Sequence, residues 1–177
     1  VCPARVLGTA PDAEGFVVVA LSPSVKARLP FVEAAEDGAR VDVVAVGKGR
    51  VTTRADWFDA DGKAIPRTPG EVLRAWPLRA ARPKRRGAGR ASALDARLSL
   101  PGGLLGSCAA TELADAKDWR DLPAAPEGLV ECVVLKAEKE GVRGSLRPSR
   151  LAKAKAGKIG EAVAPDPKLT PGRVAPG

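Results

Sequence analysis

At 177 residues the chain can hold one ordinary domain or two small ones; it has no His, Tyr or Met, and only three Phe and three Trp. Without His there is no Ser–His triad and no His-based metal site, and the 45% apolar share rests on Ala, Val and Leu, which suits small-residue cores. The formal net charge of +8 favours an anionic partner, nucleic acid or an acidic membrane surface, although a basic surface kept for solubility gives the same number.

In chain order, short Val-rich segments bounded by Gly, Pro, Asp or Ser predict strands at 4–7, 16–21, 25–29, 41–46 and 50–53. Val17-Val18-Val19 and Val43-Val44 are too apolar for a sheet with one wet face, so both faces are expected to be largely covered, as in a closed barrel. Gly47-Lys48-Gly49 lacks the spacing of a phosphate loop and reads as a hairpin. This first unit spans 1–55, and its chain is shorter after the third strand, which leaves open whether its barrel closes. Residues 56–68 read as a linker. Within it, Asp59-Ala60-Asp61-Gly62 is a turn rather than a calcium loop, because the first and closing ligand positions hold Trp57 and Thr68. A second unit at 69–150 shows strands at 72–78, 93–100, 104–108, 129–135 and 142–146, with a helical turn at 111–118 capped by Thr111. Residues 151–168, rich in Lys, Ala and Gly with Pro165 and Pro167, read as a flexible linker, and 169–177 as the start of a further unit. The first residue is Val, so the chain is expected to be a piece of something longer.

An internal repeat ties the units together. Thr68-Pro69-Gly70-Glu71-Val72 recurs as Thr170-Pro171-Gly172-Arg173-Val174, and Gly38 precedes Val43-Val44 by the offset that separates Gly128 from Val133-Val134. The path from Leu21-Ser22-Pro23 through Arg28-Leu29-Pro30 to Glu33 parallels that from Leu98-Ser99-Leu100-Pro101 through Leu104-Leu105-Gly106 to Glu112. Five short strands with a helical piece between the third and fourth is the plan of the OB-fold, so the expected architecture is all-β, a tandem of five-stranded barrels. The cysteines Cys2, Cys108 and Cys132 are odd in number and never spaced as CxxC, which argues against a disulfide framework or zinc site and fits a reducing compartment. Nothing resembles a signal peptide, and no apolar run approaches the roughly 18 residues of a membrane span.

The run from Gly15-Phe16-Val17-Val18-Val19 through Leu21-Ser22-Pro23 to Arg28-Leu29-Pro30 resembles the second and third strands of an S1 RNA-binding domain. Leu100-Pro101-Gly102-Gly103-Leu104-Leu105-Gly106, Thr111-Glu112-Leu113-Ala114-Asp115, Val133-Val134-Leu135 and Gly144-Ser145-Leu146-Arg147-Pro148-Ser149 are similar to the repeat that follows it in the eukaryotic multi-S1 ribosomal RNA biogenesis factors, the programmed cell death protein 11 family. The resemblance implies S1-type OB-folds, contact with pre-ribosomal RNA, ribosome assembly proteins as neighbours, and a place in the nucleus and nucleolus during small-subunit assembly, with no cofactor, no membrane and no catalysis. The S1 class carries aromatic and His residues on its RNA-facing strands; here only Phe16 fits, and Leu94, Ala96 and Leu98 take the corresponding strand of the second unit.

An OB-fold takes oligonucleotides on its second and third strands and through the loops joining strands one to two and four to five. Arg79, Arg82, Lys84, Arg85, Arg86 and Arg90 fall in the first of those loops of the second unit, with no acid among them, and Arg forks readily onto phosphate oxygens. Six neutralised phosphates would give a logarithmic salt slope near −4 on a single strand. A solvated insert or a nuclear-import signal are the alternatives. Lys136, Lys139 and Arg143 sit in the four-to-five hairpin, diluted by Glu138 and Glu140. Phe16 is either a stacking platform or a barrel plug, and Lys26 and Arg28 alternate on the third strand, where they touch phosphate or simply form a solvated face. Trp57-Phe58 and Trp76 are expected to seal barrel ends or the contact between units, and Trp119 to hold the helical turn on its barrel. The rival functions are a protein-binding scaffold within the pre-ribosome, a translation factor, and the accessory region of a nuclease.

Overall fold

The computed structural model describes residues 1–78, 95–115, 126–139 and 141–157. The first barrel comprises β1 (Cys2–Val6), β2 (Phe16–Ala20), β3 (Lys26–Pro30), β4 (Arg40–Gly47) and β5 (Arg50–Thr52), closed in the order β1-β2-β3-β5-β4. The second repeats that order with β6 (Val72–Leu78), β7 (Ala96–Ser99), β8 (Leu105–Cys108), β9 (Val130–Glu138) and β10 (Gly141–Ser145). In each, the fifth strand pairs parallel with the third and antiparallel with the fourth, which makes both of them OB-folds. Short 3₁₀ turns follow the third strands, at Phe31–Glu33 and Ala110–Glu112, so the repeat places Glu33 and Glu112 at equivalent points. Gly38 and Gly128, with φ of 79° and 89°, likewise precede the two fourth strands.

The first unit closes as a barrel in spite of its shorter chain, because a single 3₁₀ turn suffices to carry β3 round to β4. Its core is small: Ala4, Val6, Val17, Val19, Ala27, Leu29, Val43 and Val51. Strand alternation explains that set, since Ala27 and Leu29 point inward while Lys26 and Arg28 point out. The expectation that both faces of 17–19 are largely covered needs correction. Val17 and Val19 are buried, but Val18 is 44% exposed, so its β-branching serves the extended backbone rather than burial. The second core adds larger groups, Leu73, Leu98, Leu100 and Leu113 with Cys108 and Cys132. Burial pushes the Cys108 thiol up to about 11 and that of Cys132 to about 12, so both stay protonated near neutrality.

The two barrels touch through specific contacts. Glu33 accepts hydrogen bonds from the Thr52 and Thr53 hydroxyls of its own barrel and from the Gly102 amide of the other. Phe31 and Trp76 meet edge to face, with centroids 4.8 Å apart at 81°. Ser99 donates to the Gly15 carbonyl at 3.4 Å, and a Cβ on Gly15 would lie 2.5 Å from that of Ser99, so only glycine fits there.

Within 56–68, expected as a linker, Trp57 and Phe58 pack on the second barrel's core while 59–66 are exposed. Trp57 ends a 3₁₀ turn (Ala55–Trp57) and is buried in the second core, with the Arg67 guanidinium 4.3 Å above its ring; Phe58 bridges to Ala64. The indole supplies apolar area that a small barrel lacks. Asp59 accepts from the Asp61 and Lys63 amides, closing the turn between them. The 110–112 turn starts after Ala109, which makes no side-chain cap, rather than at Thr111. Helix α1 (Pro148–Lys155) occupies the start of the stretch expected as a flexible linker. The expected third unit, the repeat at 170–174 and Trp119 lie outside the described residues. Among the described residues, no helix is long and apolar enough to cross a membrane.

Candidate nucleic-acid interface

Strand register assembles a row of side chains on the outside of the second barrel. Arg97 of β7 partners Leu78 of β6 on one side and Ser107 of β8 on the other; Ser107 partners Arg143 of β10, and Arg143 partners Lys136 of β9. Arg97, Arg143 and Lys136 are exposed, and Ser107 and Leu78 are half-buried, so all five share the outward phase. Three strand spacings separate Lys136 from Arg97, about 14 Å. Lys139 stands exposed at the tip of the β9–β10 hairpin. None of these four cations forms an ion pair among the described residues. Among the described residues, Glu138, exposed on β9, and Asp95, exposed two positions before Arg97, are acids that flank the row.

The strand phase corrects the reading of β7. Ala96 and Leu98 are in the core, because inward and outward positions alternate, and Arg97 between them faces out. Leu94 lies outside the described residues, as do Arg79, Arg82, Lys84, Arg85, Arg86 and Arg90. The segment that carries those six begins directly after Leu78, which is itself part of the row.

The first barrel's equivalent surface is differently committed. Arg28 of β3 partners Val18 of β2 and Arg50 of β5. Its guanidinium bonds Asp12 and, at 2.7 Å, Glu14, and lies 4.7 Å from the Phe16 ring centroid. The hydrogen bonds to Asp12 and Glu14 raise its pKa. Burial raises that of Asp12, but the Phe16 amide and Arg28 outweigh it and the net shift is downward. Arg28 is therefore neutralised within its own barrel. Phe16 is only 6% exposed, and a Cβ on Gly103 would sit 3.7 Å from its ring. It packs against Gly103 of the second barrel with Arg28 over its ring, and its small exposed part lines the space between the barrels. Lys26 remains exposed two positions before Arg28.

Beside the row, a cleft of about 740 Å³ opens between the barrels. Arg97 and Lys139 line it from the second barrel and Lys48 and Arg50 from the first, with Phe58 and Leu105 among its apolar lining. Sequence reasoning missed Lys48, Arg50, Phe58 and Arg97 as site residues. Arg97 was readable from the alternation around it. The other three come together only through the packing of one barrel on the other.

No family model matches this sequence, and no curated protein matches it. Among solved structures, the chain is similar to a multidomain protein with nucleic acid binding domains from Streptococcus pneumoniae TIGR4, at 14% identity and a TM-score of 0.32, over 83% of this chain and 50% of that one. The chain thus spans about half the length of the solved protein it matches.

Proposed function

We propose that the chain binds single-stranded nucleic acid, and RNA in particular, along the outer row of the second barrel, as a non-catalytic holder. The observation that supports this most is the in-register alignment of Lys136, Arg143 and Arg97, without bonded acids among the described residues. They stand on the strands and hairpin through which OB-folds take oligonucleotides. Such cations position a strand by its phosphates and read little sequence. The six basic residues within 79–94 follow Leu78 of this row in sequence and are proposed to add phosphate contacts. The S1 resemblance extends the proposal to pre-ribosomal RNA during small-subunit assembly in the nucleolus, with assembly proteins nearby.

Filter binding of the chain to single-stranded RNA across a salt series tests the reading. Each phosphate contact contributes about 0.7 to the logarithmic slope, so Arg97→Gln with Arg143→Gln should flatten it by about 1.4. An unchanged slope removes the row from the interface. Absence of binding at low salt would favour the scaffold reading, for which the exposed Leu7, Val18 and Val25 of the first barrel supply an apolar surface.

A further inference from the structure

We infer that the cleft between the barrels continues this surface, so that one single strand of nucleic acid is gripped by both barrels at once. The inference rests on the second barrel's row being a nucleic-acid surface, and goes beyond it in making the first barrel part of the same site.

Charge is the first support. Lys48 and Arg50 from one wall face Arg97 and Lys139 from the other, and the carboxylate in the lining, Glu14, is already bonded to Arg28 at 2.7 Å. Like charges gathered in one cleft repel, and an anionic chain between them relieves that repulsion. Aromatic placement is the second. Phe58 is half-buried in the lining, braced by Gly102, where φ is 73° and a Cβ would lie 3.3 Å from Trp57 and 3.4 Å from Phe58. A ring supported on one side in a basic groove is how proteins stack unpaired bases.

The first barrel's own state is the third support. Phe16 packs against Gly103 of the second barrel and Arg28 is held by acids, so the β4–β5 hairpin does not open on a free Phe16–Arg28 face. It opens instead on its neighbour's cleft. The Glu33 and Ser99 contacts hold the two walls in one relation, so the groove is formed before any strand arrives.

Anisotropy with oligouridylates of four and sixteen nucleotides, the two ends of the usual range of OB-fold site sizes, separates the parts. The short oligomer is expected to occupy the second barrel alone and the long one to reach the first. Lys48→Asn with Arg50→Gln should lower the 16-mer's salt slope by about 1.4 and leave the 4-mer unchanged. Asn is chosen because Lys48 has a φ of 53°, which Asn tolerates. Phe58→Leu, which keeps the apolar packing, should weaken the 16-mer about fivefold or more, again sparing the 4-mer. If both variants bind the 16-mer as the wild type does, or lose equally on both lengths, the shared cleft is overturned. A continued loss with Arg97→Gln and Arg143→Gln in that case leaves the second barrel's role standing. If the wild type binds neither oligomer at low salt, the underlying reading falls instead. Should Phe58→Leu fail to fold, the exposed hairpin variant decides alone.

Discussion

Arg50 and Arg143 hold matching outward positions on the fifth strands of their barrels, and their neighbours give them different surroundings. Arg143 is flanked in register by Ser107 and Lys136; Arg50 stands beside an Arg28 already bonded to two carboxylates. Glycine decides as much at this scale as charge does. Where β10 lies parallel to β8, a Cβ on Gly141 would fall 2.0 Å from the Leu105 carbonyl oxygen, a backbone atom that cannot swing aside. Gly141→Ala should therefore destabilise the protein by about 1–3 kcal/mol or more in urea unfolding. Gly8→Ala, whose Cβ would meet nothing closer than Val17 at 4.0 Å, should stay within about 0.5 kcal/mol.

Among the elements, α1 shows how a sequence that reads as linker becomes ordered. Pro148 starts the helix, but Arg147 makes no side-chain cap. Asp115 supplies it from outside, accepting from the Ser149 hydroxyl and amide and from Arg147. Arg150 forks onto Glu112 at 2.7 and 3.0 Å, and Lys155 reaches Glu131 of β9 at 2.7 Å. The Ser149 hydroxyl and Arg147, with the Ser149 amide, hold Asp115 at about 2, below its ordinary 3.8. A depressed carboxyl stabilises the fold fully above the unfolded value and loses that effect as pH falls through the folded one. Protection factors of the α1 amides, corrected for the intrinsic exchange rate at each pH, should thus hold from neutrality to about pH 4 and fall towards pH 2, and Asp115→Ala should lower them at neutral pH. The partner of Ser149 lies 34 residues earlier in the chain, so local composition around α1 carried no trace of it.

For the whole molecule, the decisive feature is that the barrels are joined by bonds and not only by chain. Glu33 and Glu112 are repeat equivalents, yet Glu112 serves α1 while Glu33 reaches across to the Gly102 amide. Removing that carboxylate strands the Thr52 and Thr53 hydroxyls and the Gly102 amide together. Glu33→Ala should cost about 1–3 kcal/mol, and calorimetry should show a single transition of the wild type separating into two. Retention of one sharp transition would mean that the Phe31–Trp76 contact suffices to couple the barrels.

From sequence alone, Val-rich segments, turn residues and repeat spacing pointed to two tandem five-stranded OB-folds and placed Lys136, Lys139 and Arg143 on the second unit's four-to-five hairpin, because strand alternation and turn chemistry are local patterns. Only the tertiary structure decided that Phe16 is covered, that Arg28 is neutralised by Asp12 and Glu14, and that Lys48, Arg50 and Phe58 line the same cleft as Arg97. Those outcomes depend on how one barrel is seated against the other, through contacts between residues tens of positions apart. No periodicity within either repeat encodes that seating.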